Sequence, residues 1–344
     1  MKLNQYIFLI LLLKITNVDA QNTTFITKNT FIKSSFRAIY AQHNTQTIWA
    51  SGSNGYILKL TLNDTNTTAI KPKDSTDFRD IHCTNRRTVV AMSSGSPAYI
   101  FRSHNNGKTF QNVYENTDKN IFLDGMDFFN AKHGICFGDP INQKFVLIAT
   151  QNGGKTWLPL DTSRCPNAKT NEAAFAASGT SIRTANKKTI YIATGGNVSR
   201  LLFTQNFGKK WHYYDTPFTH ETASKGIYSL VLMSQYSGIL VGGDYTNDTS
   251  KTDNCYLFKI NPKTKQITFS KPEISPHGYR SCIEAMDKKN LIACGTSGVD
   301  VSTDGGKSWT NISPQSFNTI AVNKKTKTAI LAGNKGKIGF FKLK

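Results

Sequence analysis

A ring of seven four-stranded antiparallel blades, an all-β propeller with Asp-box hairpins, is the fold predicted by this 344-residue sequence. Three observations carry the prediction. An eight-residue motif recurs four times in register, a short apolar strand running into glycine recurs seven times, and segments of helical period are almost absent. A hydrophobic share of 38% and an aromatic share of 11% are enough for a core and exclude disorder over most of the chain.

Residues 1–20 come before the repeats. Lys2, the apolar run at 6–13 and the short residues Val18-Asp19-Ala20 read as an export signal cut ahead of Gln21. That run of about eight residues is too short for a bilayer, which needs roughly 20. No stable membrane insertion is therefore expected, and residues 21–344 should form one exported domain, periplasmic or secreted. Six cysteines (Cys83, Cys136, Cys165, Cys255, Cys282, Cys294) permit disulfides in such a compartment. Cys136 and Cys294, each at the end of an apolar run before Gly, read as buried free thiols. The cysteines lie far apart without paired spacing or clustered His, so no metal is expected.

The octamers start at residues 103, 150, 204 and 302 and follow S/T-x-D/N-x-G-x-x-W/F. Their key positions are Asn105, Gly107 and Phe110, then Asn152, Gly154 and Trp157, then Asn206, Gly208 and Trp211, then Asp304, Gly306 and Trp309. The pattern suits a tight hairpin: Asn or Asp folds onto the turn backbone, Gly takes a positive φ, and the aromatic packs back between sheets. A structural role is expected. The starts are 47, 54 and 98 residues apart, so the last interval holds one extra unit without the motif.

Apolar strands mark the units in order at Ile48-Trp49-Ala50, Val89-Val90-Ala91-Met92, Ile135-Cys136-Phe137, Ile190-Tyr191-Ile192-Ala193, Ile239-Leu240-Val241, Leu291-Ile292-Ala293-Cys294 and Ile330-Leu331-Ala332. Seven units over the mature chain give roughly 46 residues each, the span of a four-stranded blade. Residues 24–33 are expected to supply a strand that closes the ring with the last blade.

The stretch ahead of each apolar strand aligns as an innermost strand. One column of that alignment is polar throughout: Arg37, Arg79, Asp124, Glu172, Lys225, Arg280 and Asn318. These side chains are expected to ring one mouth of the central channel. Loops carrying Asp139 and Asp244 should emerge on the same face, because successive antiparallel strands reverse direction, and the Asp-box turns should lie opposite. Arg grips carboxylate or phosphate with two bonds, so the cationic arc is expected to bind an anionic ligand, an acidic peptide or a protein. The alternative is that the arginines are satisfied internally by Asp124, Glu172 and Asp80.

Lys plus Arg is 42 against 22 for Asp plus Glu, a formal charge of +20. It falls to about +19 after loss of the signal, and it favours polyanions, anionic membranes or acidic partners. The basic residues are spread along the repeats without a nucleic-acid module, so no nucleic-acid partner is expected. No dinucleotide fingerprint, haem motif, redox dithiol or phosphate loop is present, and no cofactor and no catalytic residue is assigned.

Taken together, Trp49-Ala50-Ser51-Gly52, Asp77-Phe78-Arg79-Asp80-Ile81, Gly138-Asp139-Pro140, Glu172-Ala173-Ala174-Phe175, Gly242-Gly243-Asp244-Tyr245, Gly278-Tyr279-Arg280-Ser281 and the octamers at 150 and 302 resemble the photosystem II stability/assembly factor-like family of Asp-box propellers, in its exported non-photosynthetic bacterial branch. The resemblance spans nearly all the mature chain. It implies a monomeric binding or assembly scaffold with an Arg-rich face and nothing photosynthetic. Asp-boxes also mark sialidase-like glycosidases, whose three arginines grip a carboxylate, and such an enzyme on the same face is the alternative. Against it, the early Arg-Ile-Pro segment of that family is missing.

Overall fold

The computed structural model describes residues 24–62 and 67–342, so the expected export signal lies outside the described residues. Seven antiparallel sheets stand around a common hub, six of four strands and one, that of the fifth blade, extended to six. Their innermost strands are Phe36–Ala41, Phe78–Cys83, Leu123–Phe128, Ile182–Ala185, Lys225–Ser234, Cys282–Ala285 and Thr319–Asn323. Each packs against the next, and the last packs against the first.

The ring closes between the two ends of the described chain. Thr24–Asn29 pairs antiparallel with Lys337–Lys342, in register from Thr24 opposite Lys342 to Asn29 opposite Lys337. The seventh sheet is therefore built from both ends, as expected from residues 24–33.

Sequence pattern follows radial position. Second strands such as Val89–Ser93 and Leu291–Gly295 are buried at every residue, because a blade on either side covers both faces. The outer strand Gln111–Asn116 is polar and largely exposed. Between blades lie seven apolar clusters, one per interface, including Phe36 with Ile330, Trp49 with Phe78, Met92 with Met126, and Tyr191 with Phe258. All six cysteines are free and buried within this packing.

The four octamers form one repeated turn joining a third strand to an outer strand. In the first, the Gly107 N–H donates to Ser103 Oγ at 2.9 Å and the Thr109 N–H to Asn105 Oδ1 at 3.0 Å. The same two bonds recur at Gly154 and Thr156, at Gly208 and Lys210, and at Gly306 and Ser308. Gly107 has φ +82°, and a Cβ there would lie 2.3 Å from the Trp49 ring of the preceding blade. Phe110, Trp157, Trp211 and Trp309 each pack into the cluster shared with the preceding blade. The turn thus shapes a hairpin and seats one blade on its neighbour.

Blade four departs from the pattern. Glu172–Ala173 pairs with Gly195–Gly196, which pairs in turn with the inner strand of blade five at Gly226. Between Ala173 and the inner strand at Ile182, the chain dips into the hub.

Candidate functional site at the hub

At the start of an inner strand, one residue is extra to the pairing with the second strand. The register skips between Phe36 and Ala38, Phe78 and Asp80, Leu123 and Gly125, and Ile227 and Ser229. A bulge re-aims the side chain that it carries, and here those residues are Arg37, Arg79, Asp124 and Tyr228. In three of the four blades the strand opposite supplies a glycine at that point, because the backbones come too close for a side chain. A Cβ on Gly52 would lie 2.8 Å from the Phe36 Cα, and one on Gly242 would lie 2.9 Å from the Ile227 Cα.

This register corrects the aligned ring at three positions. In blade five the bulged residue is Tyr228, and Lys225 lies three residues earlier, paired with Asp244 at the start of the strand. In blade six the Arg280 Cα faces Gly295 as Phe36 faces Gly52, which leaves Ser281 in the ring position. In blade four Glu172 lies well ahead of the inner strand. An insertion in blade four and slips of three residues in blade five and one in blade six carry charged residues into the aligned column.

The displaced residues have other partners. Arg280 is wholly buried. Its Nε reaches Asp300 Oδ2 at 2.6 Å, and its other nitrogens reach the carbonyls of Tyr279 and His277 and Ser297 Oγ. Glu172, also buried, is paired with Arg200, whose Nε is 2.8 Å from Oε1, and accepts from Thr194 Oγ1 at 2.6 Å. Both pairs brace the structure, and Arg280, held by Asp300, is not free to join Arg37 and Arg79 in gripping a carboxylate. Arg280 is satisfied internally, as the alternative expected, but by Asp300. Asn318 belongs to the hub and donates to the Phe36 carbonyl at 2.9 Å.

The segment 174–181 plugs the channel. Arg79 donates to the Ala176 carbonyl at 2.8 Å from blade two, and Thr319 to the Ser178 carbonyl at 3.3 Å from blade seven. Ser178 Oγ donates to the Ser281 carbonyl at 2.7 Å, and Thr180 Oγ1 lies 2.5 Å from Ser229 Oγ. Gly179, at φ +73°, would place a Cβ 2.4 Å from Asp80 Oδ1. Only a stretch this rich in Ala, Ser and Gly passes between inner strands this crowded.

On the outer side of the plug, Arg37 lies close enough to Arg79 to feel its charge. Arg79 is held by Asp77, with Nε at 2.8 Å and Nη2 at 2.7 Å from Oδ2. Among the described residues Arg37 has no ion-pair or hydrogen-bond partner, and burial, reinforced by Arg79, lowers its pKa. Beside it stands an aromatic shelf. Phe175 stacks on Tyr228 at 3.8 Å, Tyr228 meets Tyr279 edge-on at 4.7 Å, and the half-exposed Tyr245 lies 6.4 Å from both tyrosines. Asp244 accepts from Thr246 at this rim, while Asp139 accepts the Ala174 N–H at 2.9 Å.

Asp124 is wholly buried, and neither carboxylate oxygen has a hydrogen-bond partner. Burial, and next the charge of Asp139, raises its pKa well above the ordinary value and so disfavours the charged form. The aromatic shelf was not foreseen from the sequence. Its signal lies in Phe175, Tyr245 and Tyr279, all within the segments that carry the family resemblance.

Beneath the plug a blind chamber of about 250 Å³ opens toward the Asp-box face, lined in part by Tyr40, His82, Asp127, Arg183 and Glu284. Arg183 is paired with Glu284, and Asp127 accepts from Thr184. His82 lies between Tyr40 and Phe128, and burial lowers its pKa to about 4. No cluster of His, Cys, Asp and Glu that could hold a metal occurs among the described residues.

No protein-family model and no curated protein matches the sequence. The fold does resemble solved structures. YCF48 bound to D1 peptide is 9% identical at a TM-score of 0.65, covering 93% of this chain and 97% of that one. YCF48 from Cyanidioschyzon merolae is 13% identical at 0.65, covering 92% and 98%. Virginiamycin B lyase from Staphylococcus aureus is 13% identical at 0.67, covering 94% and 100%. At these identities the likeness is one of fold: the chain is a seven-bladed β-propeller similar to YCF48 and to the lyase alike.

Proposed function

We propose that this protein is an exported binding or assembly propeller that holds a peptide segment of a partner protein on its plugged face, with Arg37 taking a carboxylate of that segment. One observation carries the reading: the half-buried Arg37 guanidinium, without a side-chain acceptor among the described residues, lies beside Phe175 and the exposed Tyr245, which are backed by the buried rings of Tyr228 and Tyr279. A guanidinium in that state is completed by a bidentate acceptor, and aromatic walls suit an extended chain better than a small polar molecule. The plug supports the same reading, because it leaves a shallow shelf at this mouth. YCF48, whose structure was solved with a D1 peptide, has the same architecture. The apolar run at 6–13 supports action outside the cytoplasm.

A peptide library fixed through its amino ends, each sequence carrying either a free or an amidated carboxyl terminus, tests this. The best free-carboxyl binder should lose about tenfold or more on amidation, and as much with Arg37→Ala, since a charge-assisted bond is worth roughly 1.5–3 kcal/mol. Unchanged affinity in both arms would overturn the assignment.

A further inference from the structure

The face opposite the plug carries a second, different feature. The turns joining inner to second strands hold adjacent basic residues in five blades: Arg86-Arg87, Lys132-His133, Lys187-Lys188, Lys288-Lys289 and Lys324-Lys325. In the four blades with an Asp-box, a carbonyl from that turn accepts an N–H of the octamer. Asn106 donates to Arg87, Gly153 to Lys132, Phe207 to Lys188 and Gly305 to Lys289, all at 2.8–2.9 Å. Each octamer adds its own lysine after the final glycine, Lys108, Lys155, Lys209 and Lys307. The repeat therefore pins two cationic turns together, blade after blade, on one face.

Between blades three and four these turns enclose a groove of about 680 Å³. Its cations are Lys132, Arg164, Lys187, Lys188 and Lys209, with the His133 imidazole beside them, and no carboxylate lines it. Among the described residues none of these lysines, nor Arg164, is in an ion pair. Asp161 is near enough to feel Arg164, but it accepts the Ser163 N–H at 2.8 Å and lies outside the lining. Asn130, Thr150, Gln151 and Asn206 supply neutral polar groups between the charges.

We infer that this groove binds an acidic polysaccharide, a linear chain bearing sulfate, phosphate or carboxylate groups at intervals. Fixed, unpaired cations in a concave channel concentrate a polyanion and release its counterions, while amide and hydroxyl side chains between them match sugar hydroxyls. Nucleic acid fits less well. Strand binders stack bases on exposed rings, and the one aromatic lining residue, Phe207, is half-buried against Phe129 at 5.7 Å. A bilayer also fits less well, because the exposed large apolar side chains (Ile26, Phe31, Leu158, Tyr213, Tyr245 and Ile274) are not on these cationic turns.

The test uses the full mature chain with heparin as the sulfated-polysaccharide probe, polyphosphate as a sugar-free polyanion, single-stranded DNA, and vesicles containing phosphatidylglycerol. Two charge-matched variants are compared: Lys132→Glu/Lys187→Glu/Lys188→Glu in the groove, and Lys33→Glu/Lys119→Glu/Lys251→Glu on exposed sites away from it. Heparin should bind wild type more tightly than the other probes at equal salt. The groove variant should lose on the order of 30-fold and show a shallower salt dependence, with the control losing only a few-fold. Equal loss in both variants would mean that net charge alone attracts the probe, and would overturn the site. Groove-dependent binding that is stronger for polyphosphate, DNA or vesicles than for heparin would overturn the polysaccharide.

Discussion

Asp124 shows how a single side chain sets the character of the hub. Its carboxyl is buried without a hydrogen bond, and burial holds its pKa well above the unfolded value. The folded state therefore binds the proton more tightly than the unfolded chain does. The Asp124 contribution is most favourable below the unfolded carboxylate pKa of about 4 and weakens as pH rises toward the folded pKa. Asp124→Asn removes this ionisation while keeping the shape. The stability of the variant relative to wild type, read from urea melts between pH 4 and pH 8, should improve as pH rises above the unfolded carboxylate pKa. A constant difference across that range would show that the Asp124 pKa is not raised in the folded state.

The Asp-box turn is the element in which sequence and packing agree most closely. Gly107 and Gly95 both have positive φ, +82° and +74°, but a Cβ at Gly95 meets nothing within 4 Å, whereas one at Gly107 strikes Trp49. Gly95→Ala should cost about 1 kcal/mol for backbone strain alone. Gly107→Ala should cost about 3 kcal/mol, because the overpacking adds to it. Equal losses in denaturant melts would remove the blade-seating role of the turn. The same contrast explains what the sequence made legible. Octamers and apolar second strands are local patterns with fixed spacing, so the blades, their number and the closing strand could be read from them. The ring could be read only in part. Arg37, Arg79 and Asp124 lie at bulges that begin their strands, but in blade four the insertion at 174–181 separates Glu172 from its inner strand. Arg280 lies one residue from the bulge, and one residue in a strand turns a side chain to the opposite face. The aromatic shelf went unseen because its rings come from three blades and meet only through the closed circle.

At the scale of the whole molecule, the plug divides the propeller into two faces of different chemistry. One carries a guanidinium without an acceptor beside stacked rings, and the other carries pairs of cationic turns around a blind chamber. The excess of basic residues is thus shared between two faces that the plug keeps apart. The most direct measurement is amide hydrogen exchange on the protein with and without its best free-carboxyl peptide. Protection should centre on residues 174–181, 243–247 and 277–281 and leave the octamers at 103–110, 150–157, 204–211 and 302–309 unchanged. Protection centred on those octamers, with residues 174–181 exchanging as before, would contradict the account.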